Sequence, residues 1–421
     1  MILFYNIGIW LFDLSLLIIS PFHKKAGLLR QGRKNTLSQI KKGDIGKETV
    51  WIHCSSLGEF EQGRTVIEAI KKDFPEIFIC LTFFSPSGFE AKKYYHQADW
   101  IGYLPSDRSA YAKQFIRWSN PRLVIFVKYE FWHHYAQTLK NHNIPILSIS
   151  CIFRPDQIFF KPFGNFFRNI LQNFQHFFVQ NEQSISLLNQ IGIQACTLTG
   201  DTRFDRVFEV ARQKKSIPAV ERFTSSKKTL VIGSSWPEDL DILIPFIHFF
   251  QDQLKFLIAP HEISENELVK IEKLLIAPCI RFSKVSPEQD LNSYTVLIID
   301  NIGMLSSLYG YGQFAYVGGG FGKGLHNILE PACFGIPIFF GNKNYKKFKE
   351  ANDLIQRGGA FEVGDYNQLK SKFEWLSEPE NYELSKTISK VYVEDNIGAT
   401  KKIMQFCSKI LSDPNFHEIK I

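Results

Sequence analysis

The sequence predicts two α/β domains, each built on a parallel sheet that helices cover on both faces. From Thr49 onward, short apolar runs rich in β-branched and aromatic residues alternate with longer amphipathic stretches. The runs are apolar on both faces, as expected for strands buried inside an α/β sheet. The length of 421 residues also suits two domains of about 200 residues better than a single one.

The predicted strands form two series. The first is TVWIHC, IFICLTF, WIGYL, RLVIF, PILSIS and HFFV, and the second is TLVIGSS, KFLIAP, TVLIID, FAYVGGG, IPIFFG and AFEV. In the first series, helical spacing is predicted over 59–73, 88–96, 108–117 and 130–142. A polar stretch at 211–228 separates the two series.

These shifts in composition set the predicted boundaries. The first domain spans 23–212, a linker spans 213–225, and the second domain spans 226–395. Ligands of open α/β sheets bind beyond the carboxyl ends of the strands. Two such domains are therefore expected to face each other across a ligand cleft.

The N-terminal residues 1–22 (MILFYNIGIWLFDLSLLIISPF) are almost continuously apolar and are predicted to be a membrane anchor. Their length is close to the roughly 20 residues that cross a bilayer core. The basic flank from His23 to Lys34 favours a cytoplasmic location for the body that follows. A secretory signal fits poorly, since no positive segment precedes the run and no small-residue cleavage site ends it.

Asp13 leaves the form of attachment open, because a carboxylate at the bilayer centre costs about 2.5–3.5 kcal/mol. The segment either crosses the bilayer or lies in the interface with Asp13 and Asn6 turned to water. A buried N-terminal helix of a soluble protein is the third alternative.

Charge and cysteine content exclude several classes of function. The net charge of +7 suits anionic partners, but no long basic block or nucleic-acid motif accompanies it, so nucleic acid is not a predicted partner. The seven cysteines are scattered and form no CxxC pair, which argues against a disulfide framework and a structural zinc site. No HExxH, paired DxD or Cys/His cluster occurs, so neither a metal nor another cofactor is expected.

The segment HCSSLGEF, His53 to Phe60, is the first candidate for chemistry. A predicted strand ends at Cys54, a small polar turn follows, and Glu59 is expected to open a helix. A carboxylate at this position is placed to act as a general base once substrate excludes water. The alternative is a Glu that only caps the first helical turn.

The segment VGGGFGKGLHNILEPACFG, Val317 to Gly335, is the second candidate. Three glycines follow a strand, and a helix is expected to start near His326 or Asn327. Such a turn can cradle a phosphate with backbone amides, and Glu330 can accept hydrogen bonds from ribose hydroxyls. The glycine order matches neither the Walker A pattern nor a clean dinucleotide fingerprint. A purely structural tight turn is the alternative.

Lesser candidates follow other predicted strands. Arg203 in GDTRFD has a guanidinium suited to phosphate oxygens. The others are Lys128 and Glu130 in KYEFW, Ser234 and Ser235 in IGSSWPED, and Pro260 and His261 in LIAPHE. Each of these also has an ordinary structural explanation as an ion pair, a helix cap or a turn.

Taken together and in this order, the motifs resemble the 3-deoxy-D-manno-octulosonic acid (Kdo) transferases that act on lipid A. The resemblance rests on HCSSLGEF, YLPSD, KYEFW, GDTRFD, IGSSW, GMLSSLYG and VGGGFGKGLHNILEPA, after an N-terminal anchor. It implies a GT-B fold of two Rossmann-like domains facing a cleft, with residues 396–421 forming a C-terminal helix that returns to the first domain. It also implies inverting transfer of Kdo from CMP-Kdo to a lipid A precursor at the inner membrane, with the catalytic body on the cytoplasmic side.

The resemblance also implies roles for individual residues. Glu59 matches the catalytic base, and Glu130 and Arg203 match positions that stabilise the transition state. The residues that match the CMP-binding segments are Pro260, His261, Gly303, Met304, Leu305, Asn327, Ile328, Leu329 and Glu330.

Four positions depart from the family pattern. The family often has an acidic residue at Lys128, Lys at Arg203, Arg at His261 and Glu at Met304. Arg203 keeps its charge, whereas Met304 can contribute only through its backbone. Two other classes of function stay open, namely a nucleotide-sugar epimerase of the same two-domain form and a non-catalytic, membrane-tethered nucleotide-binding protein.

Overall fold

The computed structural model describes residues 1–213 and 216–413, which form two compact units. Unit 1 comprises Met1–Asp205 and Gly398–Ile421, and unit 2 comprises Arg206–Ile397. The predicted linker at 213–225 and the predicted C-terminal segment at 396–421 lie partly outside the described residues. The linker prediction needs correction in its second half, because Pro218–Thr224 forms a helix that buries Val220 and Phe223.

Unit 1 is built on a seven-stranded parallel sheet with the order β3-β2-β1-β4-β5-β6-β7. Its strands are β1 (Thr49–Cys54), β2 (Phe78–Phe83), β3 (Trp100–Tyr103), β4 (Pro121–Val127), β5 (Ile146–Cys151), β6 (His176–Val179) and β7 (Cys196–Leu198). Its helices are α1 (Ile2–Ile19), α2 (Lys24–Ile40), α3 (Leu57–Asp73), α4 (Pro86–Lys92), α5 (Ser109–Ser119), α6 (His133–Asn141), α7 (Asn165–Leu171) and α8 (Glu182–Gln190). Helix α9 (Thr202–Arg212) begins at the end of this unit.

Unit 2 has a second seven-stranded parallel sheet, with the order β10-β11-β9-β8-β12-β13-β14. Its strands are β8 (Lys228–Ser235), β9 (Leu254–Pro260), β10 (Cys279–Arg281), β11 (Val296–Ile298), β12 (Phe314–Val317), β13 (Ile338–Gly341) and β14 (Ala360–Val363). Its helices are α10 (Pro218–Thr224), α11 (Pro237–Phe250), α12 (Glu265–Leu274), α13 (Leu305–Leu308), α14 (Leu329–Cys333), α15 (Lys349–Arg357), α16 (Tyr366–Ser377) and α17 (Pro379–Glu394). The last helix, α18 (Ala399–Leu411), lies in unit 1.

The central strands of unit 1 are apolar on both faces because each face has its own core. Along β1, Trp51 packs into one buried cluster, whereas Val50 and Ile52 pack into another on the opposite face. Helix α18 contributes Ile403 and Cys407 to the second cluster. Successive side chains of a strand point to opposite faces, so a strand with both faces buried reads as a continuous apolar run. The predicted fold class, two parallel α/β domains of the GT-B type, is confirmed.

Helix α1 is long and apolar enough to cross a membrane, and none of its residues is buried. One stripe of it nevertheless lies against unit 1. Tyr5, Ile9, Asp13, Leu16 and Ser20 are only partly exposed, while most residues between them are exposed. Their spacing of three or four residues defines one helical face, which runs about 22 Å along the helix.

Polar contacts fix this stripe to the body. The Tyr5 hydroxyl donates to Asp107 Oδ2 at 2.5 Å. Asp13 accepts hydrogen bonds from Ser106 Oγ at 2.6 Å and from Arg108 Nε at 2.7 Å. Arg33 Nη1 of helix α2 lies 3.6 Å from the same carboxylate. Asp13 therefore contacts two cations of unit 1, which offset the cost of placing its charge on an apolar helix.

Candidate active site

Glu59 lies in the first turn of α3, just beyond the carboxyl end of β1. The helix begins at Leu57, two residues before the predicted start, and Ser56 occupies its N-cap position. The Ser56 hydroxyl donates a hydrogen bond to Glu59 Oε2. The Glu59 side chain is partly exposed, so it can meet a ligand.

Glu130 is the second predicted carboxylate, and it ends a buried chain of hydrogen bonds. Trp51 Nε1 donates to Thr82 Oγ1 at 2.8 Å, and Thr82 Oγ1 lies 2.8 Å from His53 Nδ1. Because the indole N–H can only donate, the Thr82 hydroxyl oxygen accepts the bond from Trp51. His53 Nε2 lies 3.1 Å from Glu130 Oε2 and donates to it, because an ionised carboxylate can only accept.

The surroundings of Glu130 keep it ionised. Burial raises the pKa of Glu130, whereas hydrogen bonds from His53, Trp132 and Ser55 lower it. The hydrogen bonds have the larger combined effect, so the pKa lies below the ordinary value of 4.5. Trp132 Nε1 donates to Oε2 at 2.8 Å. The sequence places Glu130 inside a helical stretch at 130–142, but helix α6 begins only at His133. Glu130 therefore lies in the loop that follows β4.

The same loop opens with a strained residue. Lys128 has φ of 63°, in the left-handed region that a side chain with a Cβ rarely adopts. Its backbone N–H donates to the Ile149 carbonyl of β5 at 2.9 Å, and this bond holds the bend. The bend turns the chain away from β4 immediately before Glu130.

Arg203 lies in the first turn of α9 and is oriented by a buried carboxylate. Its Nε and Nη2 both lie 2.8 Å from Asp201 Oδ2. Burial raises the pKa of Asp201, but the charge and hydrogen bonds of Arg203 and a hydrogen bond from Gln62 lower it below its ordinary value. Gln62 Nε2 donates to the same Asp201 oxygen at 3.0 Å.

The three residues predicted as catalytic thus lie on segments of unit 1 that are in direct contact. Gln62, the link to Asp201, is three residues after Glu59 and shares its helical face. Ser55 binds Glu130, while the adjacent Ser56 binds Glu59. The carboxyl ends of β1 and β4 and the start of α9 therefore form one polar cluster, which we call the Glu59 cluster: Ser55, Ser56, Glu59, Glu130, Asp201 and Arg203.

In unit 2, the glycine-rich segment after β12 has a structural explanation. A Cβ at Gly318 would lie 2.2 Å from the Ser234 carbonyl oxygen, and one at Gly320 would lie 2.3 Å from the Gly341 carbonyl oxygen. Neither approach is compatible with any side chain. The strand itself ends at Val317, so these glycines lie in a loop packed against two neighbouring strands.

The prediction that these glycine amides cradle a phosphate is wrong for four of them. The N–H groups of Gly318, Gly322 and Gly324 donate to backbone carbonyls, and Gly319 N donates to Asp239 Oδ2 at 2.9 Å. Asp239 also caps α11 by accepting from Trp236 N at 2.8 Å. A donor that already has an internal partner is not available to a ligand.

Trp236, His261 and His326 form a stack beside this loop. The rings of Trp236 and His261 are 4.2 Å apart with an interplanar angle of 23°, and His261 lies 4.7 Å from His326. Trp236 Nε1 donates to His326 Nε2 at 3.0 Å. Burial and the neighbouring His261 lower the pKa of His326 to about 4. Burial and Lys323 lower the pKa of His261, although Glu262 opposes them. Both imidazoles are therefore neutral at pH 7.

Glu330 joins two of the predicted CMP-binding segments. Ser306 Oγ donates to Glu330 Oε2 at 3.0 Å, and Asn327 Nδ2 donates to Oε1 at 3.3 Å. Helix α14 begins at Leu329, later than the predicted start at His326 or Asn327, because Asn327 Oδ1 accepts from Leu329 N in a turn that precedes the helix. Glu330 is therefore its second residue.

The remaining predicted CMP contacts divide by exposure. Ile328 and Leu329 are buried core residues, so only their backbone can meet a ligand. Gly303 is exposed, with φ of 93°, and Met304 precedes α13, which begins at Leu305. Pro260 ends β9 and lines a cavity of about 480 Å³ that also contacts Ser235 and Trp236. Ser234, at φ of 52°, lies at a bulge of β8.

Several residues of these clusters were not predicted as functional. His53 had a usable signal, since a titratable side chain in an otherwise apolar strand must find a polar partner. Asp201 had one as well, as a carboxylate two residues before Arg203. Trp236 and Ser306 had no signal, because their partners are 90 and 24 residues away in the chain.

Within residues 1–213 and 216–413, no group of three or more His, Cys, Asp and Glu side chains is placed to hold a metal ion. The expectation of a reaction without metal or other cofactor stays a prediction.

Known proteins resemble this chain in sequence and in fold. Residues 22–206 match the family described as 3-deoxy-D-manno-octulosonic-acid transferase (kdotransferase). The 3-deoxy-D-manno-octulosonic acid transferase of Rickettsia bellii is 26% identical over 379 residues, which cover 86% of this chain and 87% of the relative. That of Aquifex aeolicus is 27% identical over 335 residues, covering 77% and 85%.

Among solved structures, UDP-GlcNAc 2-epimerase from Neisseria meningitidis bound to UDP-GlcNAc superposes with a TM-score of 0.59. The sequences are 17% identical, and the match covers 86% of this chain and all of the epimerase chain. At this identity the likeness shows the shared fold alone.

Proposed function

The chain is related to the Kdo transferases, and we propose that it transfers Kdo from CMP-Kdo to a lipid A precursor with inversion at the anomeric carbon. The relationship confirms the resemblance that its motifs indicate, and it supports a glycosyltransferase of lipopolysaccharide biosynthesis. The donor, the acceptor and the residue roles below belong to the proposal.

The observation that carries the mechanism is the contrast between the two carboxylates of the Glu59 cluster. Glu130 is buried and accepts hydrogen bonds from three side chains, so a proton placed on it would break an established network. Glu59 is partly exposed, and among the described residues its side chain has one hydrogen bond, from the Ser56 hydroxyl. We therefore assign Glu59 the role of general base, which accepts the proton of the acceptor hydroxyl as the hydroxyl oxygen attacks the sugar. General base catalysis of this kind typically contributes about 10²–10⁴-fold in rate.

Glu130 and Arg203 are assigned supporting roles. The negative charge of Glu130 is fixed by its surroundings, which suits stabilisation of the positive charge that develops on the sugar ring as its bond to phosphate breaks. Arg203 has a guanidinium held in place by Asp201 and is assigned to an anionic group of the donor. Such fixed charges need little reorganisation during the reaction.

The CMP moiety is assigned to unit 2. Glu330, held by Ser306 and Asn327, is placed to accept hydrogen bonds from ribose hydroxyls. Because four of the glycine amides donate internally, the phosphate is expected to bind elsewhere, on cationic side chains or on other N–H groups. The neutral stack of Trp236 and His261 offers an aromatic face near the end of β9.

Membrane attachment through α1 is part of the proposal. Its stripe of contacts from Tyr5 to Ser20 lies against unit 1, so lipid cannot surround the helix on all sides. This supports the interfacial form of attachment, with the apolar outer faces in the bilayer and the body on the cytoplasmic side. Attachment raises the effective concentration of an acceptor that stays in the membrane.

A variant pair on helix α3 tests the proposal. Glu59→Gln is compared with Glu61→Gln, a control that removes the same charge two residues farther along the helix. The Glu61 side chain is paired with Lys92. The assay supplies CMP-Kdo and a tetraacylated lipid A precursor and measures product mass, which also counts the sugars added. We expect Glu59→Gln to lose at least 100-fold in turnover and Glu61→Gln to change it less than about threefold.

Near-normal turnover by a folded Glu59→Gln variant would contradict the assignment. Consumption of UDP-GlcNAc without any acceptor would instead indicate the epimerase alternative. Binding of CMP without turnover of CMP-Kdo, even with the acceptor present, would indicate the non-catalytic alternative.

A further inference from the structure

A groove in unit 1 runs beside the membrane helix and is unrelated to the Glu59 cluster. It has a volume of about 810 Å³ and lies between the C-terminal half of α1, helix α2 and the segment around Arg108. This volume is within the range of small-molecule sites, about 300–1,000 Å³. One wall is apolar, with Leu16 and Leu17 of α1.

The opposite wall is basic. Arg30, Lys34 and Lys41 lie at intervals of four and seven residues, on the same face of α2 and its C-cap. Leu37 lies between the two lysines on this face. A wall of cations facing a wall of leucines is suited to a ligand that carries an anionic group next to an alkyl chain.

The charge of the groove is not balanced by protein groups. Five cationic residues and one carboxylate line it, which gives 5 − 1 = +4. The carboxylate, Asp13, is already paired with Arg33 and Arg108. In the described part of the chain, no carboxylate lies within ion-pair distance of Arg30, Lys34 or Lys41, and all three are exposed. They are therefore available to an external anion.

We propose that this groove binds one anionic glycerophospholipid of the membrane. Its phosphate contacts Arg30 and Lys34, which are one turn apart, Lys41 adds positive charge farther along the same wall, and the upper part of one acyl chain lies against Leu16 and Leu17. A free phosphate would leave the apolar wall unused. Arg30 donates to Ser20 Oγ at 3.2 Å, but a neutral lipid would leave it and the two lysines without a negative charge to pair with.

A bilayer lipid is the expected occupant because α1 itself supplies the apolar wall. Outside the docked stripe, α1 exposes large apolar side chains such as Phe4, Trp10 and Ile18, each more than half exposed. A helix with this surface is expected to lie among acyl chains. The basic wall is then at the depth where lipid phosphates occur. The inference rests on the proposed membrane attachment through α1 and stands apart from the proposed transferase reaction.

The test measures lipid binding by the full-length protein in a neutral detergent, without donor or acceptor. The groove variant carries Arg30→Gln, Lys34→Gln and Lys41→Gln. Its matched control carries Lys24→Gln, Lys25→Gln and Lys42→Gln, which removes the same charge from exposed positions near α2 that do not line the groove. Dioctanoyl phosphatidylglycerol is titrated, native mass spectrometry gives the stoichiometry, and thermophoresis gives the Kd.

We expect one saturable phosphatidylglycerol per chain, at least tenfold weaker binding by the groove variant, and less than twofold change in the control. Equal losses in both variants would show diffuse electrostatic attraction and overturn the proposal, as would the absence of saturable binding. Lys34→Glu alone serves as a second variant if the triple substitution lowers Tm, with the same expected loss.

Competition identifies the occupant. Dioctanoyl phosphatidylcholine and inorganic phosphate are expected not to displace the bound lipid at equal concentration. Displacement by inorganic phosphate would assign the groove to a free anion. Displacement by the lipid A precursor would assign it to the acceptor, and either result would overturn the phospholipid assignment.

Discussion

Glu130→Gln tests whether the buried chain of hydrogen bonds beneath the strand ends stabilises unit 1. The substitution keeps the shape of the side chain and removes its charge. Glu130 is 8% exposed and accepts hydrogen bonds from His53, Trp132 and Ser55. A hydrogen bond to a charged group contributes about 1.5–3 kcal/mol, so we expect the free energy of unfolding to fall by about 2 kcal/mol. For a unit of this size that corresponds to a Tm lowered by about 4–8 °C.

The pH dependence gives this prediction a second, independent check. The pKa of Glu130 in the fold lies below its ordinary value of 4.5, so its ionised form stabilises the native state. That contribution is fully present above the ordinary value and is lost as pH falls through the lowered one. The difference in unfolding free energy between the wild type and Glu130→Gln should therefore be constant from about pH 6 to 8 and shrink below pH 4.5.

Denaturant unfolding followed by near-ultraviolet circular dichroism, at pH 7 and at pH 4, measures both quantities. Glu59→Gln is the control, because its side chain is partly exposed and has a single serine contact. We expect its Tm to lie within about 2 °C of the wild type. A Glu130→Gln protein as stable as the wild type at pH 7, or a difference that stays the same at pH 4, would refute the reasoning.

Three further predictions concern unit 2 and helix α1. Glu330→Gln should weaken CMP binding by the folded protein by about 10- to 100-fold, or about 1.4–2.8 kcal/mol, as measured by calorimetric titration. The pKa of His326 is lowered to about 4, so the unfolded chain binds the proton more tightly than the folded one. The free energy of unfolding should therefore fall by about 1 kcal/mol between pH 7.5 and 5, after allowance for partial exposure. The variant His326→Gln should lose this pH dependence, while its side-chain oxygen still accepts the hydrogen bond from Trp236. Asp13→Leu leaves the buried Arg33 and the partly exposed Arg108 without their carboxylate and should lower the free energy of unfolding in detergent by about 2 kcal/mol, whereas Ser15→Ala, on an exposed face, should have no measurable effect.

The strands were predictable because strands buried on both faces appear in the sequence as continuous apolar runs. TVWIHC coincides with β1, and most other apolar runs match a strand to within one or two residues. β10 was missed, because three residues give no pattern that separates a strand from a loop. Helix α10 was missed because it is only seven residues long and buries only two apolar side chains, which is too few to show helical periodicity.

The candidate site was predictable only as a set of polar residues that follow predicted strands. Glu59, Glu130 and Arg203 each follow an apolar run, where residues of α/β proteins meet ligands. Their partners are set by tertiary packing, since His53 meets Glu130 across 77 residues of sequence. A motif can therefore indicate which residues are polar and exposed at a strand end, but it does not show which of two carboxylates is held by neighbours and which one is left to react.

The glycines after β12 show how one pattern can satisfy two explanations. Glycine is required where another group approaches the backbone too closely for a Cβ to fit. That group can be a second segment of the protein backbone or a bound phosphate. At Gly318 and Gly320 the close neighbours are carbonyl oxygens of adjacent strands, which a phosphate would not replace. Selection for packing thus accounts for these two glycines without a ligand. Substituting Gly318 with Ala should accordingly destabilise unit 2 in the absence of CMP, and a variant that lost CMP affinity with unchanged Tm would restore the phosphate explanation.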